Sequence, residues 1–171
     1  WPVEDDALVA FDFDQSTYAE GQFEPVVYLG EDSRALLAAA SRQPPAQRVL
    51  DVCCGSGAHG IAALKRSAAV KQVVFLDTSA RALRFAEFGA ELSGVREKAF
   101  FLSKSFVDSD IADEGPFGAI LAGLPYLPNP DGVMNRGGPV FKDGGNDGQN
   151  VLESVVVKAQ RLLDPAGVIT M

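Results

Sequence analysis

The chain has 171 residues, 47% of them hydrophobic and 22% charged, with a net charge of −8. That is enough for one domain with a proper core and too little for two ordinary ones, and no apolar run is long enough to span a bilayer. The acidic balance, without a cluster of Lys and Arg interleaved with aromatics, argues against a duplex nucleic-acid binder, whose affinity comes mostly from neutralised phosphates.

In chain order, residues 1–30 have an uneven pattern and read as an N-terminal arm or the remnant of a preceding segment; residues 31–171 read as the domain proper. Asp32 and Ser33 offer a helix start before an Ala- and Leu-rich run over 34–41, which Pro44-Pro45 ends. Residues 48–60, Arg-Val-Leu-Asp-Val-Cys-Cys-Gly-Ser-Gly-Ala-His-Gly, pass from an apolar strand through a glycine turn into a helix carrying Ile61, Ala62 and Leu64. The glycines Gly55 and Gly57 suit a sharp turn where a ligand approaches bare backbone.

A second strand, 73–76, ends at Asp77, and Thr78 or Ser79 can cap a helix over 80–92 with Leu83, Ala86 and Ala90 on one side. A third strand spans 99–102, a polar stretch 103–115, and a fourth strand 117–122. The Pro- and Gly-rich segment 123–148 is long enough to suggest a functional loop. A helix over 148–163 has Val151, Leu152, Val155, Val156 and Ala159 as its apolar face, and residues 164–167 turn into a fifth strand, 167–171. This alternation predicts a Rossmann-like α/β fold, an open, mostly parallel sheet with helices on both faces. Four loops, at 51–57, Asp77, 103–106 and 123–126, then share the ligand-binding rim at the carboxyl ends of the strands.

Gly55, Gly57 and Gly60 have the spacing Gly-x-Gly-x-x-Gly, and Asp77 lies twenty residues beyond Gly57 at the next strand end, where a carboxylate accepts hydrogen bonds from a ribose. Asp51, four positions before Gly55, discriminates among nucleotides. A carboxylate there holds a cationic amine and repels a pyrophosphate, which favours S-adenosyl-L-methionine over a dinucleotide; a plain turn-capping aspartate is the competing reading. The adjacent Cys53 and Cys54 read as reduced thiols on opposite faces, and with one histidine and no Cys-x-x-Cys a zinc site is not expected.

Val49-Leu50-Asp51-Val52-Cys53-Cys54-Gly55-Ser56-Gly57 resembles motif I of the class I S-adenosylmethionine-dependent methyltransferases, and Phe75-Leu76-Asp77 resembles their acidic ribose position. The chain looks most like the HemK-like subgroup of protein-glutamine N-methyltransferases that modify release factors, with the related rRNA and DNA amino-group enzymes. Ile120-Leu121-Ala122-Gly123-Leu124-Pro125-Tyr126 stands where that subgroup has Asn/Asp-Pro-Pro-Tyr/Phe, and Gly144-Gly145-Asn146-Asp147-Gly148 is similar to its Gly-Gly-x-Asp-Gly. The resemblance covers roughly residues 28–171 and implies that the C-terminal strands of the fold lie beyond this chain.

It also implies site roles. Asp51, Gly55 and Gly57 would hold the methionine end of the cofactor, Asp77 with Thr78 beside it the ribose, and Ser105 and Phe106 the adenine; Cys53, where motif I frequently has glycine, would border the cofactor or pack, and Lys104 points to solvent. Gly123, Leu124, Pro125 and Tyr126 would hold the acceptor through a backbone carbonyl and a stacking ring. The sequence departs from the subgroup in two places: Gly123 has no side-chain acceptor, and the acidic residue that commonly receives the adenine amino group is missing after strand three. Tyr28 and Asp32 border the acceptor pocket by the same analogy or only pack and cap; His59 is a base near the methyl donor or a helix-terminus residue; Asp143 and Asp147 bind the acceptor or are solvated.

The expected function is methyl transfer, to a nitrogen of a protein side chain or small molecule, in the cytoplasm and away from membranes. A nucleic-acid amino group is the less favoured acceptor. A silent S-adenosylmethionine-binding scaffold and a nicotinamide-dependent oxidoreductase are the competing functions.

Overall fold

A computed structural model describes residues 2–3, 6–12, 29–130 and 143–171. The expectations for Tyr28 and for most of the N-terminal arm fall outside these residues, as does the stretch 131–142 of the long loop.

Five strands form one sheet: β1 (Arg48–Val52), β2 (Gln72–Asp77), β3 (Ala99–Ser103), β4 (Phe117–Ala122) and β5 (Leu163–Thr170). All neighbours are parallel, in the order β3-β2-β1-β4-β5. Each parallel step needs a crossover, supplied between β1 and β2 by α2 (Ala58–Arg66), between β2 and β3 by α3 (Ala80–Leu92), and between β4 and β5 by α4 (Asn150–Leu162). The order reverses at β1, which places the loops after β1 and β4 beside one another.

Strand alternation divides the core in two. Val49, Val73, Phe75, Ala119 and Leu121 pack against Leu37 of α1 (Glu31–Ala40), Ile61 and Leu64 of α2, and Ala86 and Ala90 of α3. Leu50, Val52, Leu76 and Ile120 face the other way, onto Val155 and Leu162 of α4 with Phe106 and Ile111. β1 and β2 are therefore apolar on both sides, as a covered parallel sheet demands.

The expected elements are present, with three displaced edges. Helix α1 begins at Glu31, with Gly30 as N-cap and no side-chain cap, so Asp32 and Ser33 lie inside its first turn. On α4 the buried stripe is Val155, Ala159 and Leu162, while Leu152 and Val156 are exposed. That i, i+4, i+7 row suffices for a helix that meets the sheet along one narrow line. Strand β5 starts earlier than the Asp164-Pro165 turn suggests, because Leu163 already pairs with Phe117 and the next pair is Ala119 with Val168. The extra residues form a bulge, which accommodates a proline within a strand.

Before α1, Ala7 and Val9 are buried in the α2–α3 side of the core. Ser93 Oγ, just past α3, accepts from the Leu8 amide at 2.8 Å and donates to the Leu8 carbonyl. Arg81 forms a bidentate pair with Asp12. This part of the arm is packed on the domain. No helix among the described residues is long and apolar enough to cross a membrane.

Candidate cofactor and acceptor site

Asp51 shares its strand face with Val49 and turns toward α2. The first turn of that helix has unpaired amides and, at the Gly57 N-cap, no side-chain cap. Asp51 Oδ2 takes over the task, accepting from the Gly60 amide at 2.9 Å. The carboxyl is fully buried, and its Oδ1 has no hydrogen-bond partner among the described residues. Burial pushes the Asp51 pKa up to about 8, the Gly60 bond pulling it down and the nearby Asp77 charge adding to the rise.

Asp77 closes β2 and ties the rim together. Its Oδ2 accepts from the Gly55 amide at 2.8 Å and its Oδ1 from the Ser79 amide at 2.9 Å. Of the two capping candidates it is Ser79 that caps α3, accepting from the Ala82 amide, while Thr78 stands exposed on the rim.

The three glycines have separate tasks. A side chain at Gly55 would meet nothing within 4 Å, so this is the loop glycine that faces open space. At Gly57 a Cβ would fall 2.8 Å from that of Ala86, and at Gly60 2.4 Å from the Phe75 ring. Gly57 and Gly60 therefore serve the close approach of α2 to β2 and α3. The two cysteines do point apart: Cys54 is buried on the α2 side and Cys53 half-buried against the α4 side. Burial pushes the Cys53 thiol up to about 12 and raises Cys54 as well, so neither is an activated thiolate. Cys53 has φ 54°, a left-handed conformation that glycine adopts at less cost than a residue with a Cβ.

After β3, Ser105 Oγ donates to Asp108 Oδ2 at 2.7 Å and accepts from the Asp108 amide. This exposed carboxylate, three residues beyond the expected position, stands on the same loop and escaped the sequence reading. Lys104 reaches toward Glu114, 3.8 Å away at the surface. Phe106 is 3% exposed; its ring belongs to the core under α4, with Lys158 above it. Lys158 Nζ also donates to the Phe106, Val107 and Ser109 carbonyls. Phe106 thus anchors this loop rather than presenting a ring to the rim, contrary to the expectation.

At the end of β4, Gly123 is exposed, Leu124 and Pro125 are half-buried and Tyr126 is 63% exposed. The chain then pairs with the second glycine segment. Leu127 bridges Asp143, the Gly144 amide donates to the Leu127 carbonyl at 2.9 Å, and the Asn129 amide to the Gly145 carbonyl at 2.7 Å. Asn129, buried, donates its Nδ2 to Asp143 Oδ2 at 2.6 Å, and Asp143 Oδ1 accepts from the Gly145 amide. Asp143 is thereby a locking residue of the loop, and Asp147 accepts from the Gln149 amide just ahead of α4. Gly148 packs so closely on the Tyr126 carbonyl that a Cβ would come within 2.4 Å of it.

His59 lies where these parts meet. Its Nε2 is 3.2 Å from the Ser33 carbonyl of α1, its Nδ1 3.9 Å from Asp51 Oδ1, and its ring abuts Gly123. Burial lowers its pKa, disfavouring the charged imidazolium, while the Ser33 carbonyl and the Asp32 charge pull it back up.

A family model described as the methyltransferase small domain matches residues 28–126. A protein of Methanocaldococcus jannaschii, provisionally named a protein N5-glutamine methyltransferase, is 28% identical over 151 residues, 86% of this chain and 72% of its own length. A release factor glutamine methyltransferase of Bradyrhizobium diazoefficiens is 30% identical over 75% of this chain, which spans 43% of that protein. Among solved structures, a ribosomal protein L11 methylase from Lactobacillus delbrueckii subsp. bulgaricus matches with a TM-score of 0.53 at 22% identity, over 81% of this chain and 55% of that one. At these identities the structural match speaks for the fold.

Proposed function

The chain belongs to the methyltransferase small-domain family, and from that premise we propose that it binds S-adenosyl-L-methionine at the rim formed by β1, β2 and β3 and directs methyl transfer to a nitrogen of a protein side chain. The observation that carries the reading is the pair of carboxylates tied to one glycine turn: Asp77 through the Gly55 amide, and Asp51 through the Gly60 amide with its other oxygen buried and unpaired. A carboxyl at the root of the turn that carries open Gly55 suits a ligand with a cationic amine, and a half-exposed carboxylate at the next strand end suits a ribose diol.

In this reading Asp51 and Gly55 hold the amino-acid end, Asp77 and Thr78 the ribose, and the Ser105–Asp108 pair the adenine amino group. When bound, the cofactor supplies a methyl group already activated by its sulfonium. What remains for the protein is alignment and exclusion of water. Backbone carbonyls of residues 123–125 would accept the N–H of the incoming amide, and exposed Tyr126 would cover its planar face. A glutamine side chain is the acceptor favoured by the names of the relatives, and a carbonyl acceptor suits it without a side chain at Gly123.

The bare Gly123 also supports a second reading, in which the domain binds the cofactor and transfers nothing. Calorimetry with S-adenosylhomocysteine tests the first half of the proposal: Asp77→Ala is expected to lower affinity ~10-fold or more, and unchanged affinity rejects the ribose assignment. Formation of S-adenosylhomocysteine from S-adenosylmethionine, dependent on an added glutamine-bearing protein, separates transfer from silent binding.

A further inference from the structure

The chain passes from β3 to β4, over residues 104–116, without an α-helix, using only the short helical turn Ala112–Glu114. Lys158 of α4 braces this loop from behind. Its Nζ donates to the Phe106 carbonyl and, at 2.9 Å each, to the Val107 and Ser109 carbonyls. An ammonium has three hydrogens, so all three are spent on one loop, in bonds that its charge strengthens. The same Nζ lies 5.3 Å from the centre of the Phe106 ring, a cation over an aromatic face.

What the brace aims is the peptide group between Val107 and Asp108, which is trans. In a planar trans peptide the C=O and the N–H point in opposite directions. With the Val107 carbonyl drawn to Lys158, the Asp108 amide is turned the other way, where it donates to Ser105 Oγ at 3.2 Å. Ser105 Oγ then donates to Asp108 Oδ2 at 2.7 Å, and the Ser109 amide closes the turn on the Ser105 carbonyl at 3.0 Å. The start of the loop is tied to β2, where the Lys104 amide donates to the Asp77 carbonyl at 3.1 Å. The exposed Asp108 carboxylate is thus set between an anchor on β2 and a brace on α4.

We propose that Lys158 is a positioning residue for base recognition: by drawing in the carbonyls of residues 106, 107 and 109 it fixes the Ser105–Asp108 pair as an acceptor for a 6-amino group, and so sets a preference for a 6-aminopurine over a 6-oxopurine. The inference rests on the reading above in which that pair takes the adenine amino group. It adds a residue of α4 that acts through the loop and touches no ligand.

The test is calorimetry on the full chain with S-adenosylhomocysteine and with S-inosylhomocysteine, in which a carbonyl oxygen replaces the 6-amino group. The wild type is expected to prefer S-adenosylhomocysteine by ~10-fold or more, and Asp108→Ala to lose that preference. Lys158→Met keeps a long apolar side chain against Phe106 and has no donor. It should lose most of the preference through weaker S-adenosylhomocysteine binding, with S-inosylhomocysteine held within about twofold. Lys158→Arg, which restores charged donors, should keep a larger share. Both ligands bind the same folded fraction, so the ratio of affinities is readable even in a destabilised variant. A full preference in Lys158→Met, or a loss in Lys158→Arg as complete as in Lys158→Met, overturns the proposal and leaves the adenine assignment standing. Equal affinity of the wild type for the two ligands, or a preference that survives Asp108→Ala, removes that assignment and this proposal with it. A wild type that binds neither ligand removes the cofactor reading as well.

Discussion

Asp51 shows how a single residue joins folding to the ligand choice proposed for it. Its carboxyl caps α2 through Gly60 but is held in a site that disfavours charge, with a folded pKa of about 8 against an ordinary 3.8. The folded chain thus holds this proton more tightly than the unfolded chain does. Its contribution to stability is complete below about pH 4 and is lost as pH rises toward 8. Asp51→Asn keeps an acceptor for the Gly60 amide and has nothing to ionise. Its Tm should exceed that of the wild type by roughly 5 °C or more at pH 8, the two converging at pH 4. Thermal unfolding at both pH values checks this, and a gap independent of pH would contradict a buried neutral carboxyl. The same variant should bind S-adenosylhomocysteine more weakly, the opposing effect expected where a binding group is held at a cost to stability. In the sequence Asp51 was legible as an acid before a glycine turn; its unpaired oxygen was not, because pairing depends on what α2 and β4 bring near it.

At the scale of elements, the two glycine- and proline-rich stretches around residues 123–129 and 143–148 act as one unit. The clamp runs through Asn129 and Asp143 and through the Gly144 and Gly145 backbone. Removing the buried carboxamide in Asn129→Ala leaves Asp143 short of a donor and should destabilise the chain by ~1–2 kcal/mol. The clamp carries the stretch proposed to hold the acceptor, whereas the loops proposed to hold the cofactor hang on Asp51 and Asp77. Asn129→Ala should therefore reduce turnover with a protein acceptor more than affinity for S-adenosylhomocysteine, and equal losses would show that the two regions are not separable. Both segments were recognisable as motifs in the sequence, but their pairing was not, since no periodicity links residues this far apart. Phe106 was misjudged for the same reason: an aromatic residue after a strand suits a stacking platform or a core plug, and only α4 with Lys158 decides. The early start of β5 was hidden by a proline that a bulge accommodates.

For the whole molecule, the parallel order sets where rigidity lies. β1 has a strand on either side and helices over both faces, whereas β3 pairs only with β2 among the described residues. Hydrogen exchange should accordingly be slowest at the amides of β1 and faster in β3. Equal protection would mean that the chain opens as a single unit. Such a centre holds Asp51 and the root of the glycine turn in place.

The sequence by itself determined the succession of strands and helices, the mostly parallel sheet with helices on both faces, the glycine turn and the two acidic residues beside it. These are local or periodic properties: side-chain period, turn chemistry and capping act over a few neighbouring residues, and the pattern carries them directly. Only the tertiary structure decided that Gly57 and Gly60 serve packing, that Phe106 faces the core, and that His59 from α2 fills the space beside Gly123 at the end of β4. Those outcomes depend on atoms brought together across crossovers. The stretch after β4 rests largely on such contacts, whereas the glycine turn and its flanking strand ends are local and could be read from the chain in advance.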